Sequence, residues 1–93
     1  MHEILLSDSA IDFLRLLDNK SKSICRKNLR KLSYPYPRRG SGDKEMLIVA
    51  GEEIYRLHIG RTYTAFYIID EKSKIVRVIE ILTIKAAHKK YGF

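Results

Sequence analysis

The second half of this chain is a succession of β-branched and aromatic runs joined by very short connections, and this restricts the fold more than any other feature. The runs are Glu45 to Val49, Ile54 to Ile59, Thr62 to Ile69 and Ile75 to Leu82; the turns between them are Ala50-Gly51-Glu52-Glu53, Gly60-Arg61 and Asp70 to Ser73. Strands linked this tightly are antiparallel neighbours, because a parallel return needs a crossover of about a dozen residues. The pattern predicts a four-stranded meander.

The first half has a different period. Glu3 to Leu6 reads as a short strand, and Ser7-Asp8-Ser9 supplies acceptors to cap a following helix. From Ser9 to Asp18, Ala10, Phe13, Leu14 and Leu17 recur at spacings of three and four, an apolar stripe of helical period. A break at Asn19-Lys20-Ser21 precedes a second helix, with Cys25, Leu29 and Leu32 on its buried side. Arg26 with Arg30, and Lys27 with Lys31, stack one turn apart on its solvent side. Tyr34-Pro35-Tyr36-Pro37 ends that helix, since proline lacks the amide donor and forces its predecessor out of the helical region. Arg38-Arg39-Gly40-Ser41-Gly42 is then a flexible basic loop. The tail from Ile84 to Lys90 adds a turn of helix and ends at Tyr91-Gly92-Phe93. The expected fold is α+β: an N-terminal strand and two antiparallel helices on one face of a mainly antiparallel sheet of four to five strands.

Composition sets the class. At 93 residues the chain has room for one domain, spanning 1–93. A hydrophobic fraction of 45% beside 31% charged residues belongs to a folded protein rather than a disordered one. Cys25 is the sole cysteine, which excludes an internal disulfide and a thiolate metal cluster and points to a reducing, cytoplasmic setting. No apolar run approaches the roughly 20 residues that span a bilayer, so no membrane association is expected. The formal charge is +7 and the pI about 9.7. Between Asp18 and Asp43 no acidic residue occurs, while Lys20, Lys22, Arg26, Lys27, Arg30, Lys31, Arg38 and Arg39 all do. A field of this sign and concentration suits a polyanion, RNA foremost.

Two segments hold groups capable of chemistry. Alternation along Ile54 to Ile59 puts Tyr55, Leu57 and Ile59 on one face and Arg56 with His58 on the other. That second face is either a solvated surface or a cluster that binds phosphate and moves protons. The tail gathers Lys85, His88, Lys89, Lys90 and Tyr91, which is either a frayed basic end or part of a metal-free RNA-cleaving set. Such a set needs a base for the 2′-OH, cations for the phosphorane oxygens and an acid for the leaving 5′-oxygen. No phosphate loop, dinucleotide fingerprint, zinc-ligand spacing or nucleophile elbow is present, and no metal or cofactor is expected. His2 reads as a terminal residue and Cys25 as core; Glu80 is either a satisfied structural carboxylate or an arginine's partner.

The order of elements, the strand Tyr55-Arg56-Leu57-His58-Ile59-Gly60, the tyrosine-rich strand Thr62-Tyr63-Thr64-Ala65-Phe66-Tyr67 and the basic tail Lys85 to Tyr91 together resemble the RelE/ParE superfamily of toxin-antitoxin toxins. The resemblance covers nearly the whole chain. It implies a microbial-RNase-like fold and, for a RelE-like toxin, cleavage of messenger RNA on the ribosome, inhibiting translation. It further implies that Arg56 and His58 face the message, with Lys85 and Tyr91 at the late basic and tyrosine positions, or with His88 and Lys89 at the late basic one. Lys27, Arg30, Lys31, Arg38, Arg39, Arg61, Lys89 and Lys90 are the expected RNA contacts. The implied partners are the ribosome, messenger RNA and a cognate antitoxin, small, acidic and helix-rich.

One position departs from the pattern. Many RelE-like toxins have Tyr-Arg where this chain has Tyr63-Thr64, so one phosphate-stabilising guanidinium is missing; such a loss costs roughly 3–4 kcal/mol by analogy with an oxyanion-hole donor. Arg61, two to three residues away in a turn, is the possible substitute. The alternative reading is a non-enzymatic binder on the same fold: a ParE-like topoisomerase inhibitor, or a degenerate member that binds only RNA or its antitoxin.

Overall fold

A computed structural model describes residues 1–40 and 42–92; Ser41, in the expected basic loop, and Phe93, at the expected end, lie outside the described residues. The chain runs through strand β1 (Glu3–Leu6), helix α1 (Asp8–Arg15) and helix α2 (Asn19–Leu29), which passes into a 3-10 turn at Arg30–Ser33. Strands β2 (Lys44–Val49), β3 (Glu52–Ile59), β4 (Tyr63–Asp70) and β5 (Ile75–Thr83) follow, then helix α3 (Ile84–Tyr91). The sheet order is β1-β5-β4-β3-β2. Strands β2 to β5 form the antiparallel meander that their short turns require. Strand β1 joins β5 in parallel, from Glu3 beside Ile75 to Leu6 beside Val78, and the helices and meander between them supply the long crossover. The α+β class and the mainly antiparallel five-stranded sheet agree with the sequence reading.

The core forms where the sheet meets α1 and α2. Leu57, Ile59, Ala65, Tyr67, Val76 and Val78 pack against Ala10, Leu14, Cys25, Leu29 and Leu32, with Phe13 and Leu17 partly buried beside them. Ser7 caps α1 by accepting the amide of Ala10 at 3.1 Å, and its hydroxyl donates to the carbonyl of Ile79. The first helix is thereby tied to β5. The phenol of Tyr67 donates to the carbonyl of Pro35 at 2.7 Å, satisfying a buried hydroxyl and fixing the proline segment against the sheet.

Three sequence expectations are corrected. Helix α1 stops at Arg15 and α2 starts at Asn19, so the chain reverses at Leu16 to Asp18 rather than at Asn19 to Ser21. The last turn of α1 tightens, with the amides of Leu16 and Leu17 donating to Phe13 and Leu14, which keeps Leu17 on the core. The β2–β3 turn is the two residues Ala50 and Gly51, at φ 52° and 82°, so Glu52 and Glu53 belong to β3. Paired positive φ values suit a tight hairpin because its twist matches that of the flanking strands.

The third correction concerns the helices. The two helices expected on one face, α1 and α2, do share it, but the tail forms two turns rather than one, and this α3 packs on the other side of the sheet. Phe66 alternates with the core residues Ala65 and Tyr67, so its ring points to this opposite face, where the Tyr91 ring lies 4.4 Å from it. Phe66 is fully buried and Ala87 nearly so. The helix is held at both ends: Thr83 accepts the amide of Ala86 at 3.1 Å, and Gly92, at φ 76°, returns its amide to the carbonyl of His88.

Candidate functional site

Cross-strand pairing assembles a row on the face that carries α3. Glu45 of β2 lies opposite Arg56 of β3, Arg56 opposite Phe66 of β4, and Phe66 opposite Glu80 of β5. One step along, His58 lies opposite Thr64, and Thr64 opposite Leu82. Side chains directly across a ladder point the same way, so these two rows form one surface. A bulge at Ile79 and Glu80, where β5 spends two residues against one of β4, turns Glu80 toward α3.

At the open end of this surface the Arg56 guanidinium pairs with the Glu45 carboxylate, and the same oxygen lies 3.5 Å from His58 Nε2. The Arg56 side chain is only 16% exposed, and burial draws its pKa down. Burial also lowers the His58 imidazole below its ordinary value, the neighbouring Arg56 charge adds to this, and Asp43 opposes it. The net effect favours the neutral imidazole, the form able to accept a proton.

At the other end the 8%-exposed Glu80 carboxylate receives Lys90 Nζ at 2.9 and 3.0 Å and the Tyr91 hydroxyl. Burial, together with this bond and the Glu80 charge, pushes the Tyr91 phenol up to about 12. Tyr91 thus stays protonated, its ring fixed on Phe66. Glu80 is a satisfied carboxylate whose partners are a lysine and a tyrosine, not an arginine.

Of the sequence candidates, Arg56 and His58 share β3, and Tyr91 and Lys90 reach the same face from α3. His88 is exposed on α3. Lys85 and Lys89 are also exposed, on the side of that helix opposite the buried Ala87, so they point away from the sheet. Lys27, Arg30 and Lys31 line the outer side of α2 and its 3-10 turn; Arg38 and Arg39 follow it, and Arg61 is exposed in the β3–β4 turn. Thr64 is 2% exposed, and its hydroxyl donates to the carbonyl of Leu57 at 3.3 Å. Sequence reasoning missed Glu45 and Phe66. The Ala50-Gly51 dipeptide was the signal for Glu45, since a two-residue turn there places it opposite Arg56.

Among the described residues no group of three His, Cys, Asp or Glu side chains comes together as a metal site, and no helix is long and apolar enough to cross a membrane. Neither a family model nor a curated protein sequence matches the chain. Solved structures do. A chain of the archaeal RelE-RelB complex from Pyrococcus horikoshii is similar at a TM-score of 0.70 and 18% identity, covering 88% of this chain and 93% of that one. A chain of the toxin-antitoxin complex RelBE2 from Mycobacterium tuberculosis is similar at 0.71 and 16%, covering 88% and 96%. YafQ from E. coli is similar at 0.65 and 16%, covering 92% and 97%. Similar in structure to these proteins over most of its own length and theirs, this chain has the RelE-like toxin fold.

Proposed function

We propose that this protein is the toxin of a toxin-antitoxin system and that it cleaves messenger RNA on the ribosome without a metal. The observation that carries the reading is the pairing on β3 of a largely buried guanidinium, Arg56, with an imidazole, His58, whose surroundings favour its neutral form. In this mechanism His58 takes the proton of a ribose 2′-OH. The 2′-oxygen attacks phosphorus, the bond to the 5′-oxygen breaks, and the leaving oxygen receives a proton, giving a 2′,3′-cyclic phosphate and a 5′-OH. Arg56 exchanges Glu45 for the phosphate and stabilises the charge gathering on its oxygens. Tyr91, donating to Glu80, serves as a stacking surface for a base, which leaves His88 to protonate the leaving group. The solved structures of similar fold include toxin-antitoxin complexes, which supports the toxin reading.

Thr64 favours a second reading. It is buried and bonded to backbone opposite His58, where a second cation would complete the phosphate cradle. A chain lacking that cation binds RNA, a topoisomerase or its antitoxin without cleaving. The deciding experiment is cleavage of a ribosome-bound message by the purified protein and by an Arg56→Ala, His58→Ala, Tyr91→Phe triple variant. Cleavage that the variant loses supports the nuclease; no cleavage with intact ribosome binding leaves the binder.

The antitoxin's place in this reading is a groove of about 500 Å³ on the other side of the molecule. Ile4, Leu6, Ile11, Leu14 and Leu29 form its apolar part, and Arg15, Lys22, Arg26 and Arg30 its basic part. An amphipathic segment with acidic flanks matches both.

A further inference from the structure

Where the 3-10 turn meets the start of β2, a separate pocket of about 350 Å³ is lined by Lys31, Ser33, Tyr34, Arg38, Asp43 and Lys44. Lys44 is the unusual member. It is 9% exposed, and among the described residues its ammonium has no hydrogen-bond or ion-pair partner. Its stem is buried while its Nζ is not enclosed, so the side chain presents an ammonium to whatever enters the pocket. Lys44 stands opposite Leu57, so its side chain lies on the helix side of the sheet, toward Tyr34.

The pocket also offers an aromatic surface. Tyr34 is 48% exposed, the Arg38 guanidinium lies 4.3 Å from its ring centre, and Tyr36 meets it edge-on at 5.5 Å. Lys31, Arg38 and Lys44 outnumber the one carboxylate, Asp43, whose distance to Lys31 is 3.9 Å. An acidic peptide would use the cations and leave the ring idle. A nucleotide uses both, its phosphate on the lysines and its base on the tyrosine. The pocket is also joined to the surface described above: the amide of His58 donates to the carbonyl of Asp43 at 2.8 Å. His58 faces the α3 side and Lys44 the side of α1 and α2, so an RNA strand occupying both would pass round the edge strand β2.

We propose that this pocket binds one nucleotide of single-stranded RNA, flanking the segment held at Arg56 and His58. The proposal rests on the RNA reading above, and its test uses binding alone, without the ribosome, so that its failure and the absence of cleavage register separately. Fluorescence anisotropy with a labelled adenosine hexaribonucleotide is measured for the parent, Lys44→Met, Tyr34→Phe, Tyr34→Leu and Arg56→Ala proteins, each checked for folding by circular dichroism. Lys44→Met should weaken binding by about fivefold or more and reduce the salt slope by about one. Tyr34→Leu should weaken it by about fivefold or more while Tyr34→Phe binds like the parent.

Loss on Arg56→Ala with unchanged affinity in Lys44→Met and Tyr34→Leu overturns the subsite and leaves the β3 surface standing. No binding by the parent overturns both. If a hexaglutamate peptide competes as well as unlabelled RNA, and Tyr34→Leu has no effect, the pocket is a site for acidic peptide and the proposal falls.

Discussion

Arg56 and His58 are two residues apart on β3, and their chemistry is set by neighbours distant in the chain. Glu45 meets both, and Arg56 helps to keep the imidazole deprotonated. In the proposed mechanism a base must be unprotonated to work, so cleavage should rise with pH as His58 loses its proton. The rise should lie at lower pH than for an ordinary imidazole, because burial and the Arg56 charge lower the value in the folded protein from 6.5. Single-turnover rates over a range of about pH 5 to 8 test this, with His58→Ala as the control. A flat profile in the parent, or the same acidic limb in the variant, removes His58 as base. The same shift has a stability sign. Near and below pH 6.5 the unfolded chain binds the proton more tightly than the folded one, so the His58 contribution is present above that pH and is lost as pH falls through the folded value. Sequence alternation alone placed Arg56 and His58 on one face. It could not supply the carboxylate between them, because that depends on which residue of another strand lies opposite.

At the scale of elements, the β2–β3 hairpin shows how a small error in a turn propagates. A four-residue turn at Ala50 to Glu53 would pair Arg56 with Leu47; the two-residue turn pairs it with Glu45. Both registers preserve the faces, since they differ by an even number of residues, so hydrophobic alternation cannot distinguish them. The left-handed φ at Ala50 is the physical deciding feature, and it is strained for a residue with a Cβ. Ala50→Asn, which makes the turn Asn-Gly, should therefore stabilise the protein by about 0.5–1 kcal/mol. Urea unfolding measures it, and an equal or lower midpoint at unchanged slope would show that the turn carries no such strain. Helix α3 was legible only as one helical turn in a basic tail. Its one buried small residue, Ala87, and its final tyrosine leave a weak apolar stripe, and what secures it is Phe66 and Glu80 on the far strands.

Over the whole molecule, the basic charge is divided between surfaces. Arg15, Lys22, Arg26 and Arg30 border the apolar groove beside α1 and α2, while Arg56 and Lys90 belong to the opposite face of the sheet. If the groove receives an acidic antitoxin, reversing charge with Arg26→Glu and Arg30→Glu should slow association by about tenfold or more at low salt, and the difference should shrink as salt is added. Stopped-flow mixing at two ionic strengths measures this; unchanged rates at low salt would place the antitoxin elsewhere. The sequence by itself determined the element order, the antiparallel meander and the buried stripes of α1 and α2, because short connections and hydrophobic period are local properties. Only the tertiary structure decided the parallel docking of β1 on β5, the placing of α3 on the opposite face, and the company of Arg56, Tyr91 and Lys44. Those depend on contacts between residues far apart in the chain, and periodicity carries no information about which distant partner a side chain will meet.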